Sequence, residues 1–139
     1  MINPKLMDLL DNIDTLDILR DSTVYQLQKM QNVEKTLDGK DWYQDLPQIV
    51  KNKFNDYKEA YASILGILKS DHQIMLKEMN KGYYYWRLLR SACNTYQNDL
   101  VEFDQQLVEE FNFKETKAIS NNEILKNCLK VLIEHAVED

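Results

Sequence analysis

Residues 47–75, PQIVKNKFNDYKEAYASILGILKSDHQIM, carry the pattern that decides the fold. Val50, Phe54, Tyr57, Tyr61, Ile64, Leu68, Asp71 and Met75 recur in strict alternation of four and three residues. That is the seam of a helix buried along one stripe against other helices. The phase then runs on through Gly82, Tyr85, Leu89, Ala92 and Tyr96 to Leu100, Phe103, Leu107 and Phe111. A turn scrambles such a phase, and Tyr83-Tyr84-Tyr85-Trp86 offers no capping side chain for a new helix. The sequence therefore predicts one helix over 47–113, bent at Gly82 and roughly 100 Å long at 1.5 Å per residue. The alternative ends a helix at Asn80 and Gly82, with Lys77 and Lys81 favouring its C-terminal dipole. Asp71 on the seam is costly unless paired; it either fixes register or marks a level open to water.

Outward from this stretch, Asn3-Pro4 is a cap followed by a proline suited to the first helical position. Leu6, Leu9, Leu10, Ile13 and Leu16, then Val24, Leu27, Met30, Val33 and Leu37, extend a helix over 4–37. Asp38-Gly39 stops it, glycine accepting a left-handed end. Residues 39–46 connect it to the next helix, with Asp45 as its expected cap. After a second connector at 112–120, Ser120 and Glu123 form a capping box for a last helix over 121–137. Its apolar face carries Ile124, Leu125, Cys128, Leu129, Leu132 and Ala136. With three Gly and two Pro in 139 residues, the expectation is a single all-α domain: an elongated antiparallel helical bundle with a long central helix.

The net charge of −6 divides as −4 over 1–46, +4 over 47–90 and −6 over 91–139. Acidity of the whole chain argues against generic nucleic-acid binding, while the basic middle suits an anionic partner. Cys93 and Cys128 stand alone, without metal-ligand spacing, as expected of thiols in a reducing, cytoplasmic setting. No run approaches the ~20 apolar residues that span a bilayer. Asp8, Asp11, Asp14, Asp17 and Asp21 share one flank of the first helix and read as a solvated acidic face. No Glu-x-x-His motif, glycine-rich phosphate loop or paired nucleophile and base is present, so neither catalysis nor a metal or cofactor is expected.

Residues 77–90 hold the candidate binding surface: Lys77, Lys81, Tyr83, Tyr84, Trp86, Arg87 and Arg90. Each helical step turns by about 100°, so four consecutive aromatics cannot all face one core stripe. Tyr85 belongs to the seam, leaving the others for a second surface. Tyr, Trp and Arg together are the composition of protein interface hot spots and of anchors at lipid headgroups.

Residues 46–76, LPQIVKNKFNDYKEAYASILGILKSDHQIML, resemble the start of the second helix of BAR domains of the sorting-nexin type. Lys69-Ser70-Asp71-His72-Gln73 loosely matches the charged step there, and residues 100–113 resemble the end of that helix. The resemblance covers about half the chain. It implies an elongated antiparallel dimer that presses a basic concave face on membranes in trafficking. The residues by themselves point to a non-enzymatic interaction module, with a protein partner or a second copy on the exposed seam and an anionic membrane as the other candidate.

Overall fold

A computed structural model of the chain describes the backbone of residues 2–111 and 117–137, and the side chains of 2–99 and 122–137. Its regular structure, among the described residues, is entirely helical: α1 Pro4–Asp11, α2 Ile13–Asp38, α3 Asp41–Gln44, α4 Gln48–Leu68, α5 His72–Met79, α6 Tyr84–Phe111 and α7 Lys117–His135. The all-α helical bundle read from the sequence is the observed fold. No described helix is long and apolar enough to cross a membrane.

Contacts between helices fix the topology. Lys58 on α4 pairs with Glu34 on α2 at 2.8 Å, and Arg20 on α2 donates from Nε to the Leu68 carbonyl at 2.7 Å. The two helices are therefore antiparallel. Tyr25 packs on Tyr96 with ring centroids 5.1 Å apart, and Lys29 reaches Asp99 at 2.9 Å, so α2 and α6 run parallel. The Ile2 N–H donates to Asn80 Oδ1 at 3.1 Å, and Asn3 Nδ2 lies 3.2 Å from His135 Nδ1. The beginning of α1 thus meets both the end of α7 and the end of α5, and α7 packs along α6. α7 packs on both α6 and α2, whereas α4 leans on α2 and barely touches α6.

The core gathers at the end closed by α1 and α5. Leu6, Leu10, Leu19, Ile64, Leu68, Met75, Met79, Leu89, Cys93, Leu125 and Leu132 are all buried there. Among the described residues none between 24 and 60 is buried. The seam on α4 therefore divides. Tyr61, Ile64 and Leu68 lie in the core, as does Met75 on α5, but Val50 and Tyr57 are each 47% exposed and Phe54 is half-buried. On α6, Leu89 is buried, and Tyr85 and Tyr96 are half-buried against the core. The seam positions at 100, 103, 107 and 111 lie outside the described side chains.

The single helix expected over 47–113 is three helices. The first break falls where the seam would have placed Asp71 inside. The chain ends α4 at Lys69 and turns Asp71 to φ −56° and ψ 146° as the N-cap of α5, which leaves its carboxylate exposed. Interrupting the helix thus avoids burying a charge, where the sequence offered only pairing or an open seam. The second break spans Asn80 to Tyr83. Tyr83 accepts the first bond of α6 from the Arg87 N–H at 2.9 Å, and Trp86 is fully buried with its Nε1–H donating to the Met79 carbonyl at 2.9 Å. A core side chain thereby satisfies a terminal carbonyl of α5. A Cβ added at Gly82 meets nothing within 4 Å, so close packing does not require glycine in this turn.

The expected helix over 4–37 is likewise two. Asn12 adopts φ −101° and ψ 124°, and its Oδ1 accepts from the Asp14 N–H at 2.9 Å, capping α2. Gly39 closes α2 at φ −86°, not in the left-handed region. Pro47, not Asp45, is the N-cap of α4, and Asp45 instead ends α3. The last helix begins at Lys117 rather than 121, so Ser120 falls inside it.

Candidate functional site

Because α4 leans on α2 and away from α6, a cleft of about 580 Å³ opens between α4 and α6. Gln26 and Met30 of α2 form its floor, Tyr57 and Tyr61 of α4 one wall, and Tyr84, Arg87, Leu88, Arg90 and Ser91 of α6 the other. A second hollow, of about 220 Å³, shares Gln26 and Met30 and adds Lys29, Val33, Phe54 and Thr95. Together they make a groove floored by α2.

Each helix supplies the groove at helical spacing. On α6 the lining positions 84, 87, 88, 91 and 95 follow one face, as do 54, 57 and 61 on α4 and 26, 30 and 33 on α2. Arg87 and Arg90 are half-buried and line the cleft. None of the described residues lining either hollow is a carboxylate, a histidine or a cysteine. Lys29 is held by Asp99, whose carboxyl is kept below its ordinary pKa by hydrogen bonds from Tyr25 and Lys29. Arg87 and Arg90 also line the first hollow.

Tyr61 anchors the groove's inner end. Its hydroxyl donates to the Leu88 carbonyl at 3.2 Å, and burial, followed by the neighbouring Tyr57 and Tyr84, pushes its pKa up to about 12. It remains a neutral phenol that ties α4 to α6. Tyr57 and Tyr84, 47% and 48% exposed, keep open faces above it.

The structure divides the surface expected over 77–90. Tyr84, Arg87 and Arg90 come together on the groove. Lys81 lies on the other side of Tyr84, pairs with Glu78 at 2.8 Å, and borders a cleft that also carries Asp56 and Glu59. Lys77 is exposed on α5, and Tyr83 is half-buried against the core. Trp86 is not part of any binding surface, because its whole side chain is inside. The break before α6 explains the division, since a continuous helix would have turned these side chains differently.

The sequence reading missed Gln26, Met30, Leu88 and Ser91 as groove residues. Met30 showed only as part of an apolar stripe, and Tyr57 only as part of the seam. The acidic flank of α1 and α2 is solvated as expected: Asp8, Asp11, Asp14, Asp17 and Asp21 are all exposed, and Asp11 meets His72 at 3.0 Å. No family model matches the chain, and neither a curated protein nor a solved structure matches it.

Proposed function

We propose that the protein is a non-enzymatic helical interaction module that joins a partner protein through the groove between α4 and α6. One observation carries this reading. Tyr57 and Tyr84, aromatic and half-exposed, share with Arg87 and Arg90 a cleft whose described lining holds no carboxylate, in a chain of net charge −6. Tyr and Arg are among the side chains that most often dominate protein interfaces. Two buried free thiols, Cys93 and Cys128, suit a cytoplasmic setting.

The test compares the wild-type protein with the Tyr84→Ala, Arg87→Ala double variant. Partners captured by each from its cells of origin are quantified, with solution mass measured by light scattering. The reading expects the variant to keep its fold by circular dichroism and to bind its partner more weakly by ~2 kcal/mol, about thirtyfold. A wild-type protein that stays monomeric, with a captured set unchanged in the variant, refutes it. A BAR-like membrane role draws less support, because Arg87 and Arg90 border a cleft instead of standing on an open face. Co-sedimentation with anionic liposomes separates the two.

A further inference from the structure

We infer that α1 is a pH-sensitive strap, so that acid loosens its hold on α7 and tightens its hold on α5. The chain has two histidines, and each meets one end of this helix.

At the beginning of α1 the helix cap decides where the proton sits. Asn3 Oδ1 accepts from the Lys5 N–H at 2.9 Å, as an N-cap side chain does. The Asn3 amide therefore presents its Nδ2 donor to His135 Nδ1, 3.2 Å away in the last turn of α7. Nδ1 must accept, so the proton of the neutral ring is on Nε2. Nε2 is buried without a hydrogen-bond partner among the described residues, and the Glu134 carboxylate is 3.7 Å from it. A second proton on this ring goes to Nδ1, where it sets one donor against another. Protonation thus removes the tie to α1 and leaves the charged ring beside Glu134, on its own helix.

At the other end of α1 the demand is reversed. His72 opens α5, and its Nε2 lies 3.0 Å from Asp11 Oδ1 at the end of α1. A charged ring makes the stronger bond to a carboxylate. Both side chains are about half exposed, so water screens this gain and it is the smaller of the two changes. Among the described residues, no carboxylate besides Asp11 and Glu134 comes within 4.0 Å of either ring, from α2, α4 or α6 included. Lys5 and Asp8 on α1, the α5 cap Asp71 and Lys77 on α5 are exposed, and Glu78 pairs with Lys81.

Histidine is the side chain that changes charge between pH 5 and 8. Falling pH across that window removes a tie that needs the neutral ring and strengthens one that gains from the charged ring. The hold of α1 then moves from α7 toward α5.

The experiment follows the ¹⁵N-labelled full chain by NMR from about pH 8 to about pH 5. At the upper end, ring nitrogen shifts should show His135 Nδ1 bare and Nε2 protonated. On acidification, the amides of Leu6 and Met7, which donate to the Asn3 carbonyl, should lose at least ~3-fold in exchange protection after correction for intrinsic rates. Protection of the Met75 amide, which donates to the Asp71 carbonyl at the start of α5, should rise, and His72→Gln should abolish that rise. Asn3→Asp keeps a good cap but offers His135 a carboxylate, so in this variant acid should raise protection at Leu6 and Met7. A protonated Nδ1 at the upper pH, or protection at Leu6 and Met7 that ignores pH, overturns the inference. So does the same acid loss in Asn3→Asp as in the wild-type protein, or protection at Met75 that falls.

Discussion

Replacing Trp86 by phenylalanine tests the interpretation of the α5–α6 junction most directly. The indole is fully buried, and its N–H satisfies the Met79 carbonyl at the end of α5. Phenylalanine keeps one ring in the core but leaves that carbonyl without its donor, which costs about 1–3 kcal/mol when the acceptor stays dry. The lost ring volume adds to this, and complete truncation in Trp86→Ala should reach about 3–5 kcal/mol. With a urea dependence of roughly 1–3 kcal/mol per molar, Trp86→Phe should lower the unfolding midpoint by about 1 M. Far-UV circular dichroism across a urea titration reads this. Trp42, 58% exposed, provides the control: Trp42→Phe should move the midpoint little. An unchanged midpoint in Trp86→Phe, combined with lost partner binding, would refute the argument and return Trp86 to the surface.

Three further outcomes follow from burial and charge. Ile64→Ala should destabilise by roughly 2–5 kcal/mol because Ile64 is fully buried, whereas Val50→Ala on the same stripe should cost under about 1 kcal/mol; equal losses in thermal melts would show that the seam does not divide. Burial pushes the Cys93 thiol from 9.0 to about 12 and Cys128 to about 11, so above pH 9.0 the unfolded chain sheds protons that the folded chain keeps. Stability should then fall as pH rises, by about 1.4 kcal/mol per pH unit for each thiol. Cys128→Ala should reduce that slope in urea midpoints taken at rising pH, and a flat wild-type profile would count against the buried thiols. Asp99 lies below its ordinary value of 3.8 through its bonds with Tyr25 and Lys29, so its contribution is present above that pH and lost as pH falls through the lowered pKa. Asp99→Asn should flatten the acid limb of the stability profile, and an unaltered limb would assign acid sensitivity to other groups.

Much of the architecture was legible because periodicity reports burial. Tyr61, Ile64, Leu68 and Met75 were found from spacing alone, and all four are in the core. Spacing could not tell how far along α4 that core extends. Val50 and Tyr57 obey the same rule as Ile64, yet they stand beyond the level at which α1, α5 and α7 close the bundle. The helix breaks were hidden for a related reason. Asn12 and Asp71 act as N-cap residues, but each also fits a helix interior at modest cost, and tertiary packing decides between the two. The start of α6 carries no local signal, because Trp86 and the Met79 carbonyl define it from seven residues apart. At the site, the crowding of Tyr83 to Trp86 revealed that a second surface was needed. It did not reveal which aromatics would supply it. Gln26 and Met30 come from another helix altogether, and one sequence pattern does not bring them beside Arg87.

The open groove is better explained by how α4 is tied than by poor packing. Both polar ties that orient α4, Lys58 to Glu34 and Arg20 to the Leu68 carbonyl, run to α2 and are separated by ten residues along α4. They hold the helix at two levels. Toward α6 the Tyr61 hydroxyl donates to the Leu88 carbonyl, and this tie lies at the core end. α4 is thus pinned to α6 near Tyr61 and held back by α2 at Lys58. Closing the groove would bring Tyr57 onto Tyr84 and Arg87 while pulling Lys58 from Glu34, whose side chains are only about a quarter exposed. Separating a half-buried ion pair costs more than separating one in open water, because neither charge regains full hydration. The apolar gain from closure would have to exceed that loss. The same two ties therefore keep Tyr57 and Val50 exposed on a stripe whose other end lies in the core.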